Sequence, residues 1–142
     1  RKKVAAELGI QLVTAVPADT EADLVIHASG QPEGLRDALV VAGHETTIVD
    51  VSWYGNQSVS LPLGEAFHSR RLTLKSSQVG RLNPNQTPRW NQARRMALAM
   101  ELLRDGHLDA LITGESPFEE LPEVMARLSQ DPGTTLCHRI CY

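Results

Sequence analysis

Three serines in this chain can be brought to one place by simple geometry. Ser29, Ser52 and Ser77 each stand at or just beyond the end of an apolar or β-branched run. Small residues at such ends let backbone N–H and C=O groups meet a flat ligand closely. The same residues also suit tight strand exits, and spacing alone does not separate the two uses. Other candidate chemistry is weaker. His27, His44, His68, His107 and His138 show no paired spacing of the kind that places two metal ligands on one helix face. Cys137, His138 and Cys141 invite a zinc reading, but alternate side chains of a strand face opposite ways, and a structural site needs four ligands. Ser29 precedes a glycine without the pattern of a nucleophile elbow, and Ser76 and Ser77 have no evident base. His27 falls mid-strand and reads as a hydrogen-bonded histidine. Glu115, Glu119 and Glu120 read as first-turn helix acids. None of these groups specifies a reaction by itself.

The elements that must position the serines are legible between Asp23 and Gly55. Leu24–Ala28 is nearly all apolar and predicts a strand buried on both faces. Pro32 suits a first helical turn, and Leu35, Ala38, Leu39 and Ala42 form one apolar stripe of the helix that follows. Thr46–Val51 is the next strand. Strands joined by a helix of this length are parallel, and ligands of parallel α/β sheets collect at the carboxyl ends of the strands. A third strand is expected over Leu72–Ser77. No glycine-rich phosphate turn occurs in the 142 residues.

Around this unit, Arg1–Leu8 predicts the end of a helix stopped by Gly9, and Ile10–Val13 a short strand. Pro17–Glu21 is a polar connection. SVSLPLGEAF predicts a short strand and turn, and RLNPNQTP a loop. Thr87 is expected to cap a helix with Pro88 at its first position. Its apolar stripe is Trp90, Ala93, Met96, Ala97, Met100 and Leu103, with Gly106 as the stop. Leu108–Thr113 is a short apolar piece. Ser116 and Glu119 predict one tight turn before a helix that starts at Pro122 and carries Val124, Met125 and Leu128. TTLCHRICY closes the chain as a strand.

The length suits one domain with its own core. With 42% hydrophobic and 22% charged residues and a net charge of -3, the composition is that of a soluble globular protein, and the expected location is the cytoplasm. Arg70, Arg71, Lys75, Arg81, Arg89, Arg94 and Arg95 are concentrated mid-chain and read as a solvated face. Nucleic-acid binding there would want interleaved aromatics. No apolar run approaches the ~20 residues of a membrane span, and RKKVAAELG has no secretory core. The sequence opens at Arg1 without methionine, so a longer natural chain is expected. Cys137 and Cys141 would share a strand face roughly 13 Å apart, beyond disulfide reach, and are expected as reduced thiols.

Several segments together resemble the carboxyl-terminal part of the medium-chain dehydrogenase/reductase superfamily, zinc-containing alcohol dehydrogenase type. RKKVAAELG looks like the helix after the second strand of its cofactor domain. ADLVIHASG resembles the "D-V-V-x-x-A-S-G" strand, LRDALVVAGHETTIVDVSWYG the helix and strand that follow, and LLRDGHLDALITGESPFEELPEVMARL the region near the carboxyl end. The resemblance runs over nearly the whole chain. It implies an α/β fold, a partial Rossmann-like parallel sheet with flanking helices that lacks the first strands and the glycine-rich turn. It also implies an NAD or NADP cofactor across the strand ends. Ser29, Gly30 and Gln31 would border the adenosine, and Val51, Ser52 and Trp53 the nicotinamide. Ser77 and Val79 would offer backbone partners to the carboxamide. Ser52 stands where many members have glycine, and Gly114 where many have histidine. Cys137 aligns with a residue that is often basic and holds pyrophosphate, with Arg139 two places on.

The implied whole is an enzyme that transfers hydride between an alcohol or polyol and the nicotinamide. Zinc is expected only in an amino-terminal catalytic domain absent from these 142 residues, and the chain by itself is expected to be inactive. Its implied partners are a small-molecule alcohol and a second copy in a homodimer, with neither nucleic acid nor membrane. The alternative is a stand-alone, non-enzymatic α/β dimerisation or interaction module.

Overall fold

The computed structural model describes residues 1–17 and 19–142, so Ala18, inside the expected Pro17–Glu21 connection, lies outside the described residues. Contacts divide the chain into two compact units, Thr14–Pro88 and a second made of Arg1–Val13 with Arg89–Tyr142.

The first unit contains strand β1 (Ala22–His27), helix α2 (Pro32–Val41), strand β2 (Ala42–Asp50) and strand β3 (Thr73–Ser76); helix α1 (Lys2–Glu7) belongs to the other unit. All pairings are parallel, in the order β1-β2-β3. This is the expected partial Rossmann-like arrangement. Pro32 opens α2 as predicted, and the stripe of Leu35, Ala38, Leu39 and Ala42 is buried to the last residue, packed with Ile48 and Leu72. Val25, Tyr54, Val59, Leu61, Phe67 and Leu74 pack around that core.

The expectation that β1 is buried on both faces fails. Val25 and His27 face the α2 layer, whereas Leu24 and Ile26 are 57% and 63% exposed on the other side. Apolar content shows that a strand can be buried, not that this chain supplies a cover for each face. The strand bounds also shift. β1 ends at His27, so His27 is its last residue and not mid-strand, β2 starts earlier than Thr46, and β3 is shorter than Leu72–Ser77. SVSLPL forms no ladder. It runs irregularly to Pro62 and enters a kinked turn over Leu63–Phe67 that is broken at Glu65 (φ -99, ψ -120).

In the second unit, α1 leads to Gly9 at φ +65. Ile10–Val13 forms no strand; Ile10, Leu12 and Val13 are about half exposed. A strand needs a ladder partner, which β-propensity cannot supply. Helix α3 (Gln92–Leu102) starts later than expected: Asn91 is the cap, accepting the Arg94 N–H at 2.8 Å. Thr87 instead donates its hydroxyl to the Pro84 carbonyl at 2.8 Å, closing a 3₁₀ turn. Trp90 precedes the helix, with the Arg94 guanidinium 4.3 Å over its ring. The expected apolar piece near Leu108 is a 3₁₀ turn, Gly106–Leu111, that runs into strand β4 (Ile112–Pro117). A tight turn at Phe118–Glu120 then precedes helix α4 (Leu121–Gln130), as anticipated, and strand β5 (Cys137–Cys141) pairs parallel with β4.

Candidate functional site

Register brings the three strand ends level. His27 is opposite Asp50, and Asp50 opposite Ser76. Past these ends the chain stays zipped, with Val51 N–H donating to the His27 carbonyl at 2.9 Å and Ser77 N–H to the Asp50 carbonyl at 2.8 Å. Gly30, at φ +67, turns the exit of β1 towards α2, and its N–H donates to Ser52 Oγ at 3.0 Å. Gln31 is the residue that caps α2. The exits carrying Ser29, Ser52 and Ser77 are therefore adjacent.

A hollow of about 430 Å³ lies at the ends of β2 and β3, lined by Asp50, Val51, Ser52, Trp53, Ser76, Ser77, Gln78 and Val79. Five of the sequence candidates, Val51, Ser52, Trp53, Ser77 and Val79, form part of its wall. Ser29, Gly30 and Gln31 do not line it, and sit alongside through the Gly30–Ser52 bond. The amides of Val51, Ser52 and Ser77 are already engaged, Ser52 N–H by Asp50 Oδ1 at 2.9 Å. What the wall can present to a ligand is backbone carbonyl oxygen, the hydroxyls of Ser76 and Ser77 and the side-chain amide of Gln78, beside the apolar faces of Trp53 and Val79. An amide NH2 on a planar ring fits that set of acceptors.

Behind the hollow sits a polar cluster that the sequence reading did not assemble. His27, 5% exposed, places Nδ1 3.0 Å from Asp50 Oδ1 and Nε2 2.7 Å from Ser29 Oγ. Ser52 Oγ and the Tyr54 hydroxyl each lie 3.2 Å from Nδ1, and Tyr54 donates to Asp50 Oδ2 at 3.2 Å. Burial acts to raise the Asp50 carboxyl. The hydrogen bonds from His27, from the Ser52 amide and hydroxyl, and from Tyr54 outweigh it and hold the group below its ordinary 3.8. Burial, then the charge of Asp50 and the bond to it, raise Tyr54 above its ordinary 10.0. From sequence His27 is expected mid-strand, whereas the structure puts it at the end of β1, level with Asp50. Their register across 23 residues was not readable.

Elsewhere, Gly114 and His138 explain each other. A Cβ on Gly114 would lie 2.6 Å from His138 Nδ1, and His138 Nε2 lies 3.1 Å from Ser116 Oγ. His138 thus faces away from Cys137 and Cys141, which are free and exposed. Arg139 is held in an ion pair by Glu115. Arg70 donates to the Val40 and Ala42 carbonyls, and Arg71 pairs with Glu45. Among the described residues no three His, Cys, Asp or Glu side chains gather to hold a metal, and no helix is long and apolar enough to cross a membrane.

No protein-family model and no curated protein matches the sequence. Solved structures are. L-idonate 5-dehydrogenase from Escherichia coli is 20% identical with a TM-score of 0.66, over 88% of this chain and 33% of that one. The 2R,3R-butanediol dehydrogenase of Bacillus subtilis is 16% identical with a TM-score of 0.70, over 99% and 40%. The fold is that of the matched part of these two dehydrogenases. A short chain alcohol dehydrogenase from E. coli, complexed with cofactor NADH, matches at 20% identity and a TM-score of 0.56, over 99% of this chain and 35% of that one. The chain spans about a third of the length of these structures.

Proposed function

We propose that this chain is the distal part of an NAD(P)-dependent zinc-type alcohol or polyol dehydrogenase, and that its strand-end hollow receives the nicotinamide half of the cofactor. The observation that carries the reading is the hollow of about 430 Å³ at the ends of β2 and β3, large enough to admit a planar ring, with polar residues and the apolar faces of Trp53 and Val79 in its wall. In this reading Val51, Ser52 and Trp53 flank the nicotinamide, Ser77 and Val79 meet its carboxamide, and Ser29, Gly30 and Gln31 border the adenosine. Bound cofactor would supply the hydride acceptor; the residues here bind and orient it. In this reading the zinc would be held by an amino-terminal catalytic domain. A homodimer, a small alcohol substrate and a cytoplasmic setting complete the proposal.

Without a glycine-rich turn to hold pyrophosphate at a helix start, the 142 residues should bind NADH and NADPH weakly and turn over no alcohol. Isothermal titration of this polypeptide with each nucleotide is the test. Micromolar affinity would show that the chain carries a complete cofactor site and would contradict the partial-site reading.

The exposed apolar face of β1 favours a second reading, a non-enzymatic module in which another copy covers Leu24 and Ile26. Light scattering coupled to size exclusion, with Leu24→Lys and Ile26→Lys, tests the module: a monodisperse dimer that these substitutions dissociate supports it, and a monomer contradicts it.

A further inference from the structure

The polar cluster behind the hollow has a direction. Asp50 is held ionised, so its carboxylate only accepts, and the neighbouring Nδ1 of His27 must carry the ring proton. In the neutral ring Nε2 is then an acceptor, and Ser29, 2.7 Å away, donates its hydroxyl proton to it. A hydroxyl with a base on one side and a carboxylate behind that base is the arrangement of an activated nucleophile. The imidazole is buried, and Ser29 is exposed as a residue.

Two further features hold the hydroxyl in place. Gln31 N–H donates to Ser29 Oγ at 3.2 Å. Gly34 lets the first turn of α2 close over the pair, since a Cβ there would lie 2.5 Å from Ser29 Oγ and 2.9 Å from His27 Nε2. Ser29 also sits between a parallel strand and the helix that follows it, without the flanking glycines of a nucleophile elbow. The local sequence hid this because Asp50 reaches the histidine only through strand register.

We propose that Ser29, His27 and Asp50 form a nucleophile, base and positioning carboxylate that hydrolyse small activated carboxylic esters, an activity separate from hydride transfer. Ser29 Oγ bonds to the ester carbonyl carbon as its proton passes to His27 Nε2. The bond from that carbon to the leaving oxygen breaks, and His27 returns the proton to the departing alcohol or phenol. Water then attacks the acyl carbon and gives a proton to His27. The bond to Oγ breaks, Ser29 recovers the proton, and the carboxylic acid leaves. Ester and water become acid and alcohol, with no other reactant. Asp50 touches no substrate; it holds the tautomer and steadies the imidazolium.

The test uses the 142-residue chain with p-nitrophenyl acetate and, separately, a fluorophosphonate label. A burst approaching one p-nitrophenol per chain and a single adduct mapped to Ser29 are expected. Ser29→Ala, checked to be folded by circular dichroism, should lose both. Asp50→Asn should lower kcat by about 100-fold or more while leaving KM unchanged, a split that a structural role would not produce. An unlabelled folded chain, an adduct on another residue, or Ser29→Ala hydrolysing at the parent rate would overturn the proposal.

Discussion

At the scale of residues, the His27 cluster governs how stability responds to pH. Asp50 has a folded pKa below its ordinary 3.8. Its contribution is therefore fully present above that ordinary value and is lost as pH falls through the depressed one. Tyr54 is shifted upward from 10.0, so its contribution is present below the ordinary value and is lost as pH climbs through the raised one. Urea unfolding across pH should show both limbs. Asp50→Asn should flatten the acid limb and Tyr54→Phe the alkaline limb; a parent chain whose acid limb survives in Asp50→Asn would contradict the assignment. His27→Ala should cost about 2 kcal/mol or more in the same assay, because it strips Asp50 and Ser29 of a buried partner.

At the scale of elements, two glycines mark close approaches rather than turns. Gly34 lies inside α2, where alanine would ordinarily stabilise the helix by ~1 kcal/mol. The missing Cβ is what lets the helix lie on His27 and Ser29, and overpacking costs about 1–3 kcal/mol. Gly34→Ala should therefore lower stability in thermal unfolding, against the helix propensity. On the β4–β5 pair, Gly114→Ala should likewise destabilise, because its Cβ meets the His138 ring. His138→Ala should rescue it, and a double-mutant cycle measures the coupling. If the two effects simply add, Gly114 and His138 are not sterically matched.

At the scale of the whole molecule, the first unit has one covered sheet face and one open one. Leu39, 1% exposed, lies in the covered layer; Leu39→Ala should cost roughly 2–5 kcal/mol. Ile26 is 63% exposed, and Ile26→Thr should change unfolding by about half a kcal/mol or less in the isolated chain. A loss as large as that of Leu39→Ala, seen only at high protein concentration, would show that a second copy covers this face.

What the sequence determined by itself were the properties carried by local pattern. The stripe from Leu35 to Ala42, Pro32 at the start of α2, the tight turn before α4 and the parallel sense of β1 and β2 all follow from periodicity, capping and connection length. Placing Ser29, Ser52 and Ser77 at strand ends was equally local. Only the tertiary structure decided what depends on partners distant in the chain. Ile10–Val13 had strand composition but no ladder, and Leu24 and Ile26 had apolar side chains but no cover. His27 acquired its role from Asp50, Ser29, Ser52 and Tyr54 through the register of β1 on β2. A one-residue slip in that register would turn His27 and Asp50 to opposite faces, and nothing within either segment alone states which register is chosen.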